Sequence, residues 1–180
     1  MKSLTKEHFC YGAILSAIME YNPDSSFVLL QSQNNSRKIF KIQTNTSNEC
    51  VILSKYAFQN DKQSWTYNFS EKDKEIINNY YNEKIPIFIY LLCATNNLFN
   101  SEITVLRYEE FIEVSHKKSI TIRKRKGSHS FILRRSKSSK DDMLIPTTRI
   151  DKTFDDLMSE EINLSHGYYC PKCGTELIFK

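Results

Sequence analysis

Glycine is nearly missing from this chain. Gly12, Gly127, Gly167 and Gly174 are the only four in 180 residues. A loop that wraps phosphate with backbone amides needs glycines close together, so the Walker and dinucleotide-binding patterns are both excluded. Long apolar runs are lacking too. The longest, Ile85 to Ala94, is interrupted by Pro86 and falls far short of the ~20 residues that cross a bilayer. Met1 to Glu7 has no apolar stretch of the kind that directs secretion. A second Cys-x-x-Cys is absent. Cys10, Cys50 and Cys93 stand alone, so the five cysteines make no disulfide framework. These absences predict a reduced, cytoplasmic protein with no membrane partner.

What is present suits one domain with a sizeable core. Hydrophobic residues make up 40% and charged residues 26%, with ten Tyr and eleven Phe supplying large buried area. The net charge is only +4, but its distribution is uneven. Lys117 to Lys140 holds ten Lys or Arg and no acid, whereas Asp141 to Glu161 holds seven acids against Arg149 and Lys152. Blocks of one sign shape a local field whatever the total.

Periodicity organises the rest. Phe9, Ala13, Ala17 and Ile18, with Ile14 and Tyr21 beside them, predict an amphipathic helix over 7–21 that Asn22-Pro23 ends. Strand-like runs follow at 27–30, 38–44 and 50–53, and Trp65, Tyr67 and Phe69 alternate with polar neighbours. Ser70-Glu71-Lys72-Asp73 resembles a capping box, opening a helix to about Asn82 with Ile76, Ile77, Tyr80 and Tyr81 as its apolar face. Ile85 to Cys93 reads as a central strand covered on both faces. A strand at 103–106 and a short helix at 109–114 come next. Ser119 to Arg125 and Ser130 to Arg135 then flank Lys126-Gly127-Ser128-His129 as a β-hairpin. Met143 to Pro146 packs back, and Asp151 caps a last helix at 152–161. This order predicts an α+β (mixed α/β) fold, with a mostly antiparallel or mixed central sheet and flanking helices. The core domain spans 1–161, with the basic hairpin at 117–136, and a short tail occupies 162–180.

Two constellations carry chemistry. Cys170-Pro171-Lys172-Cys173-Gly174 places two thiolates three apart around a turn, the spacing of two corners of a zinc tetrahedron. The remaining ligands are left to His166, to a distant Cys or to the same pair in a second copy, so zinc is the cofactor to expect, with an incomplete site in one chain. Arg123, Lys124, Arg125, Lys126, Arg134 and Arg135 form a dense positive ribbon on the hairpin. With Ile120 and Ile122 turned to the core, Lys124 lies on the core-side row beyond the core edge, so the hairpin is expected to project as a finger. A projecting basic ribbon suits phosphate contacts; a solvated edge strand protected by its charges is the plainer alternative. Base stacking is not indicated, because the cluster lacks interleaved aromatics. For metal-dependent cleavage the nearest acid–lysine set on one strand is Glu49 and Lys55, and six residues at ~3.3 Å each separate them by ~20 Å. No nucleophile-elbow pattern is present, and Trp65 reads as core.

The runs Cys50-Val51-Ile52-Leu53-Ser54-Lys55, Ser64-Trp65-Thr66-Tyr67-Asn68-Phe69 and Pro86-Ile87-Phe88-Ile89-Tyr90-Leu91-Leu92-Cys93 are followed by Ile120-Thr121-Ile122-Arg123, Gly127 and Ser130-Phe131-Ile132-Leu133. Over roughly residues 8 to 158 this series resembles a widespread family of small, poorly characterised bacterial proteins. Its members read as helix, I-K-Y-S-like strand, S-P-W-x-F-x-F strand, F-x-x-L-V-C strand and basic hairpin. Ser54-Lys55-Tyr56 departs from that pattern. The chain is also similar in general layout to degenerate restriction-endonuclease-like domains of mobile elements and phage-defence loci, and its tail resembles half of a zinc ribbon. These resemblances imply a fold and no catalytic residue.

The function expected is that of a non-enzymatic bacterial accessory protein. It would bind nucleic acid, or a nucleic-acid-processing complex, through the hairpin, and a protein partner or second copy through the tail. A divalent-metal nuclease and a pure assembly subunit are the alternatives. Zinc at the tail predicts that elemental analysis of purified protein finds bound zinc, and that Cys170→Ser with Cys173→Ser removes it. Metal-free wild-type protein would dispose of that reading.

Overall fold

The computed structural model describes residues 3–30, 37–136 and 141–159, together with the strand pairs 168–169 and 176–177. Ile87 to Ala94 is apolar without alternation except for Tyr90, and every residue of that strand is buried. A strand of this kind needs cover on both faces, and the fold is arranged to supply it.

In chain order the elements are α1 (Lys6–Tyr21), β1 (Ser26–Leu30), β2 (Lys38–Gln43), β3 (Glu49–Phe58), β4 (Ser64–Asn68), α2 (Glu71–Asn82), β5 (Ile87–Ala94), β6 (Glu102–Arg107), α3 (Tyr108–Ile112), β7 (Ser119–Lys124), β8 (Ser130–Leu133), β9 (Met143–Pro146), a 3-10 turn (Thr147–Asp151) and α4 (Phe154–Ser159). The first sheet has the order β1-β2-β3-β5-β6. Its β3–β5 pair is parallel, with Val51 opposite Ile87 and Phe58 opposite Ala94. The other three pairings are antiparallel. The second sheet, β4-β7-β8-β9, is antiparallel throughout. The expected α+β fold with a mixed central sheet is therefore present.

The period of two along each strand separates two cores. Val51, Leu53, Ile87, Ile89 and Leu91 face α2 and the inner side of the second sheet, where Trp65, Tyr67, Ile120, Ile122, Phe131, Leu133 and Ile145 meet them. Cys50, Ile52, Phe88, Tyr90 and Leu92 face α1 and α4. Trp65 is core, as its alternation implies, and donates Nε1–H to the Ala94 carbonyl at 2.9 Å.

Three expectations need correction. α1 buries Cys10, Tyr11, Ile14 and Ile18, while Phe9 stays 55% exposed and Ala13 is exposed as well. Ile14 and Ile18 bring more apolar area to the sheet than the Ala13–Ala17 stripe, so the helix turns that face inward. Thr153, not Asp151, opens α4. Its hydroxyl accepts the Asp156 amide at 3.2 Å and donates to the Asp156 carboxylate at 2.7 Å. β3 continues through Ser54 and Lys55 to Phe58, because both polar side chains find internal partners: Ser54 Oγ donates to the Lys38 carbonyl at 3.1 Å. The β2–β3 turn is tied to α4 by the Asp155 carboxylate, which accepts from Thr46 and Asn48 at 2.9 Å.

In the tail, Tyr168–Tyr169 pairs antiparallel with Glu176–Leu177. These two short strands flank the segment containing Cys170 and Cys173, which itself lies outside the described residues.

The rotation of α1 sets a test. Ile14→Ala is expected to cost ~2–5 kcal/mol in urea unfolding, whereas Phe9→Ala is expected to stay within ~0.5 kcal/mol of wild type. A large loss at Phe9 with little at Ile14 would place the opposite face inward.

Candidate nucleic-acid interface

The basic hairpin exists, and its register is defined by Ile122 opposite Leu133 and Lys124 opposite Phe131. It does not stand clear of the body as a finger. β7 pairs along its length with β4, from Ser64–Arg123 to Asn68–Ser119, and β8 pairs with β9. The hairpin thus forms the two inner strands of the second sheet. Ile120 and Ile122 alternate inward as their spacing requires, and the same row carries Phe131 and Leu133. Only the turn from Arg125 to His129 runs beyond the paired strands. Ser128 N–H donates to the Arg125 carbonyl at 3.0 Å, and Gly127 takes φ 75. An L-residue side chain disfavours that left-handed conformation, which is why glycine stands there.

The six cations divide into two groups. Lys124, half-buried, forms an ion pair with Glu102 and lies 5.4 Å over the Phe131 ring. Arg135 donates Nε–H to the Asp141 carbonyl at 2.7 Å and reaches Glu113 at 3.4 Å. Arg134 is half-buried beside it, and its carbonyl accepts from Lys117 Nζ. Arg125 and Lys126, by contrast, are exposed at the turn. Together with Arg123, whose buried Nε has no hydrogen-bond partner, they make no ion pair among the described residues. The acids that hold Lys124 and Arg135 each lie 22 residues upstream. The run of cations carries no local sign of them.

Several loops gather where this turn lies. The Ala94 carbonyl at the end of β5 takes both the Trp65 indole and the Gln59 amide, each at 2.9 Å. Glu102 at the start of β6 meets Lys124 at the end of β7. The β3–β4 turn with Lys62, the β5–β6 loop and the β7–β8 turn therefore share one end of the molecule. At the other end of β5 a groove of about 560 Å³ is lined by Tyr81, Lys84, Phe88, Arg107 and Tyr108, among others.

The acid–lysine pair considered for metal-dependent cleavage is not brought together. Glu49 pairs with Lys41 at 2.9 Å, and Lys55 with Asp73 at 3.1 Å. Asp73 is the third residue of α2. One carboxylate oxygen accepts the Ser70 amide at 2.8 Å and meets Lys55, while the other takes Arg37 Nη1 at 2.5 Å. All three charged side chains are at most 5% exposed. Burial alone would raise the Asp73 carboxyl, but the Lys55 ammonium and the Ser70 amide outweigh it and hold the group below its ordinary value. Burial pushes the Lys55 ammonium down, against the pull of Asp73. Among the described residues, no three His, Cys, Asp or Glu side chains cluster as a metal site would require. The Cys50 and Cys93 thiols are buried and pushed up to about 12, so neither is a ready nucleophile. Compared with known protein families, curated proteins and solved structures, the chain has no match.

The Asp73 cluster is therefore read as structural, with a measurable consequence. Asp73→Ala leaves two buried cations facing each other and is expected to cost ~3–5 kcal/mol. A carboxyl held below its ordinary 3.8 contributes stability that is fully present above that pH and is lost as pH falls through the folded value. The stability gap between wild type and Asp73→Asn, read by urea unfolding across pH, is expected to be flat at neutral pH and to narrow in acid. A gap that instead widens below 3.8 would contradict the assignment.

Proposed function

We propose that this chain binds nucleic acid and that the β7–β8 turn makes the phosphate contacts. The single observation supporting this is the pair Arg125 and Lys126, exposed at the turn and without an ion pair among the described residues. A polyanion gains most from cations that have no internal carboxylate to give up, because each phosphate contact then releases a counterion without breaking an existing ion pair. Arg123 adds a third cation on the adjoining strand. Lys124, Arg134 and Arg135 act from behind: their contacts with Glu102, Lys117, Glu113 and Asp141 orient the strands that carry the turn.

Binding is preferred over cleavage because Glu49 and Lys55 serve separate ion pairs. An acidic protein surface would meet the same cations, and co-purification with and without nuclease treatment separates the two kinds of partner.

Fluorescence anisotropy with short labelled DNA and RNA strands, taken across a salt series, tests the proposal. Replacing Arg123, Arg125 and Lys126 together by Ser is expected to weaken binding and to make the slope of log affinity against log salt shallower by about 2, at ~0.7 per single-strand phosphate contact. The wild-type protein is expected to leave the same strands uncut in magnesium or manganese. Unchanged affinity and slope in the triple variant would overturn the assignment.

A further inference from the structure

The β5–β6 loop presents an aromatic ring to solvent beside the basic turn. Phe99 is 76% exposed, more than any other large hydrophobic among the described residues, and Leu98 beside it is 40% exposed. The loop is not slack. Thr95 N–H donates to Ser101 Oγ at 3.1 Å, the Thr95 hydroxyl reaches the Asn97 side chain and the Phe99 carbonyl, and Leu98 N–H closes on the Thr95 carbonyl at 3.0 Å. These bonds hold Leu98 at φ 64 and Asn100 at φ 60. Asparagine tolerates that left-handed region, whereas leucine enters it against the clash of its own Cβ. A strained backbone thus holds an apolar ring outside both core clusters of the described residues.

The location supplies the partner. Glu102, which ends the loop, is the residue that pairs with Lys124, and Lys124 directly precedes Arg125. Phe99 lies three residues from Glu102, so a span of ~10 Å reaches it from the ion pair. The ring and the two exposed cations consequently stand on one end of the molecule, brought together from 26 positions apart in the case of Phe99 and Arg125 (125 − 99). Cations that track a backbone beside an aromatic face that takes a base are the two components of single-strand recognition.

We propose that Phe99 is a stacking platform for an unpaired base, which makes the ligand of this surface single-stranded nucleic acid. This rests on the nucleic-acid reading above and narrows it. In a duplex the bases are already stacked. An apolar side chain can enter only as a wedge, and the unstacking that follows must be recovered over a widely wrapped surface. Three cations without internal ion pairs, supplemented by Lys62 on the neighbouring turn, provide no such surface. A single strand offers its bases at no comparable cost.

Phe99→Ala and Phe99→Tyr, neither of which disturbs a buried contact, test this by anisotropy on three ligands: a single strand, the same strand carrying an abasic site and so of equal charge, and a duplex of half that length, which matches it in phosphate number. Wild type is expected to prefer the single strand. Phe99→Ala is expected to lose about tenfold in affinity for it, within the ~5- to 150-fold range of one base stacked on an aromatic ring. The salt slope is expected to be unchanged, since no phosphate contact is removed. Phe99→Tyr is expected to restore binding, and an abasic site is expected to reduce wild type toward the alanine variant. If Phe99→Ala binds as wild type while the Arg123, Arg125 and Lys126 variant does not, the stacking role is wrong and phosphate binding stands. Duplex preference in wild type overturns the single-strand assignment and points to a wedge. If none of the three ligands binds, or if polyglutamate competes as well as the strand does, the nucleic-acid reading itself is overturned.

Discussion

The parallel pairing of β3 with β5 is the constraint on which the rest of this structure hangs. Both strands are apolar on both faces along Val51 to Leu53 and Ile87 to Ala94, so neither face can be left to water. A parallel connection needs a crossover, and here it consists of β4 followed by α2. β4 joins the second sheet, and α2 packs beside that sheet on the first, so the crossover covers one face with both. α1 and α4 close the other. Because β3 and β5 run in the same direction, their carboxyl ends lie side by side, and the loops that leave them meet the turn of the second sheet. The shared end of the molecule is a consequence of how the core is covered.

Buried charge follows the same economy at two places. Asp73 and Glu110 are each the third residue of a helix, each accepts the amide of the residue before that helix, and each also binds a cation distant in sequence: Arg37 with Lys55 in one case, Arg149 in the other. A capping carboxylate is favoured near a helix N-terminus in any event. Using its remaining lone pairs for a guanidinium joins the helix to a strand or turn that local sequence does not reach. Arg149 also donates to the Val105 carbonyl at 2.8 Å, which ties the 3-10 turn to β6, an edge strand of the first sheet. These pairs are costly to bury, and their geometry leaves few oxygens unsatisfied.

How much of this was readable from the chain depended on whether the signal was local. The Ser70–Asp73 capping box, the apolar β5, the inward alternation of Trp65, Tyr67 and Phe69, and the hairpin around Gly127 are all set within a few residues, and each appears in the structure. Of the apolar face expected for α1, Ile14 and Ile18 are buried and Phe9 is not, because Phe9 with Ala13 and Cys10 with Ile14 and Ile18 make two apolar stripes, and only the shape of the sheet selects between them. The hairpin was expected to stand free because nothing near it announces β4 and β9 as its neighbours. Strand pairing across more than 50 residues, as between Asn68 and Ser119 at one end and Ser64 and Arg123 at the other, leaves no periodic trace. The aromatic partner proposed for the basic cluster leaves no local trace for the same reason. Phe99 sits in a separate loop, and the ion pair of Glu102 with Lys124 is what brings it alongside.

That ion pair also changes how a basic block should be weighed. The ten cations between Lys117 and Lys140 suggest a broad positive surface, but a cation matched by its own carboxylate adds little to the distant field. A dipole decays faster than a charge, and solvent ions screen what remains within ~10 Å. Glu102 and Glu113 remove Lys124 and Arg135 from the account in this way. At the β7–β8 turn itself, what is left is Arg123, Arg125 and Lys126, a small positive tip, and a small tip attracts polyanions without holding them firmly. For the nucleic-acid ligand we propose, affinity then has to come from a second source that does not depend on charge. On that proposal the ring of Phe99 at the same end provides one, and the strained loop and the basic turn act as halves of one surface.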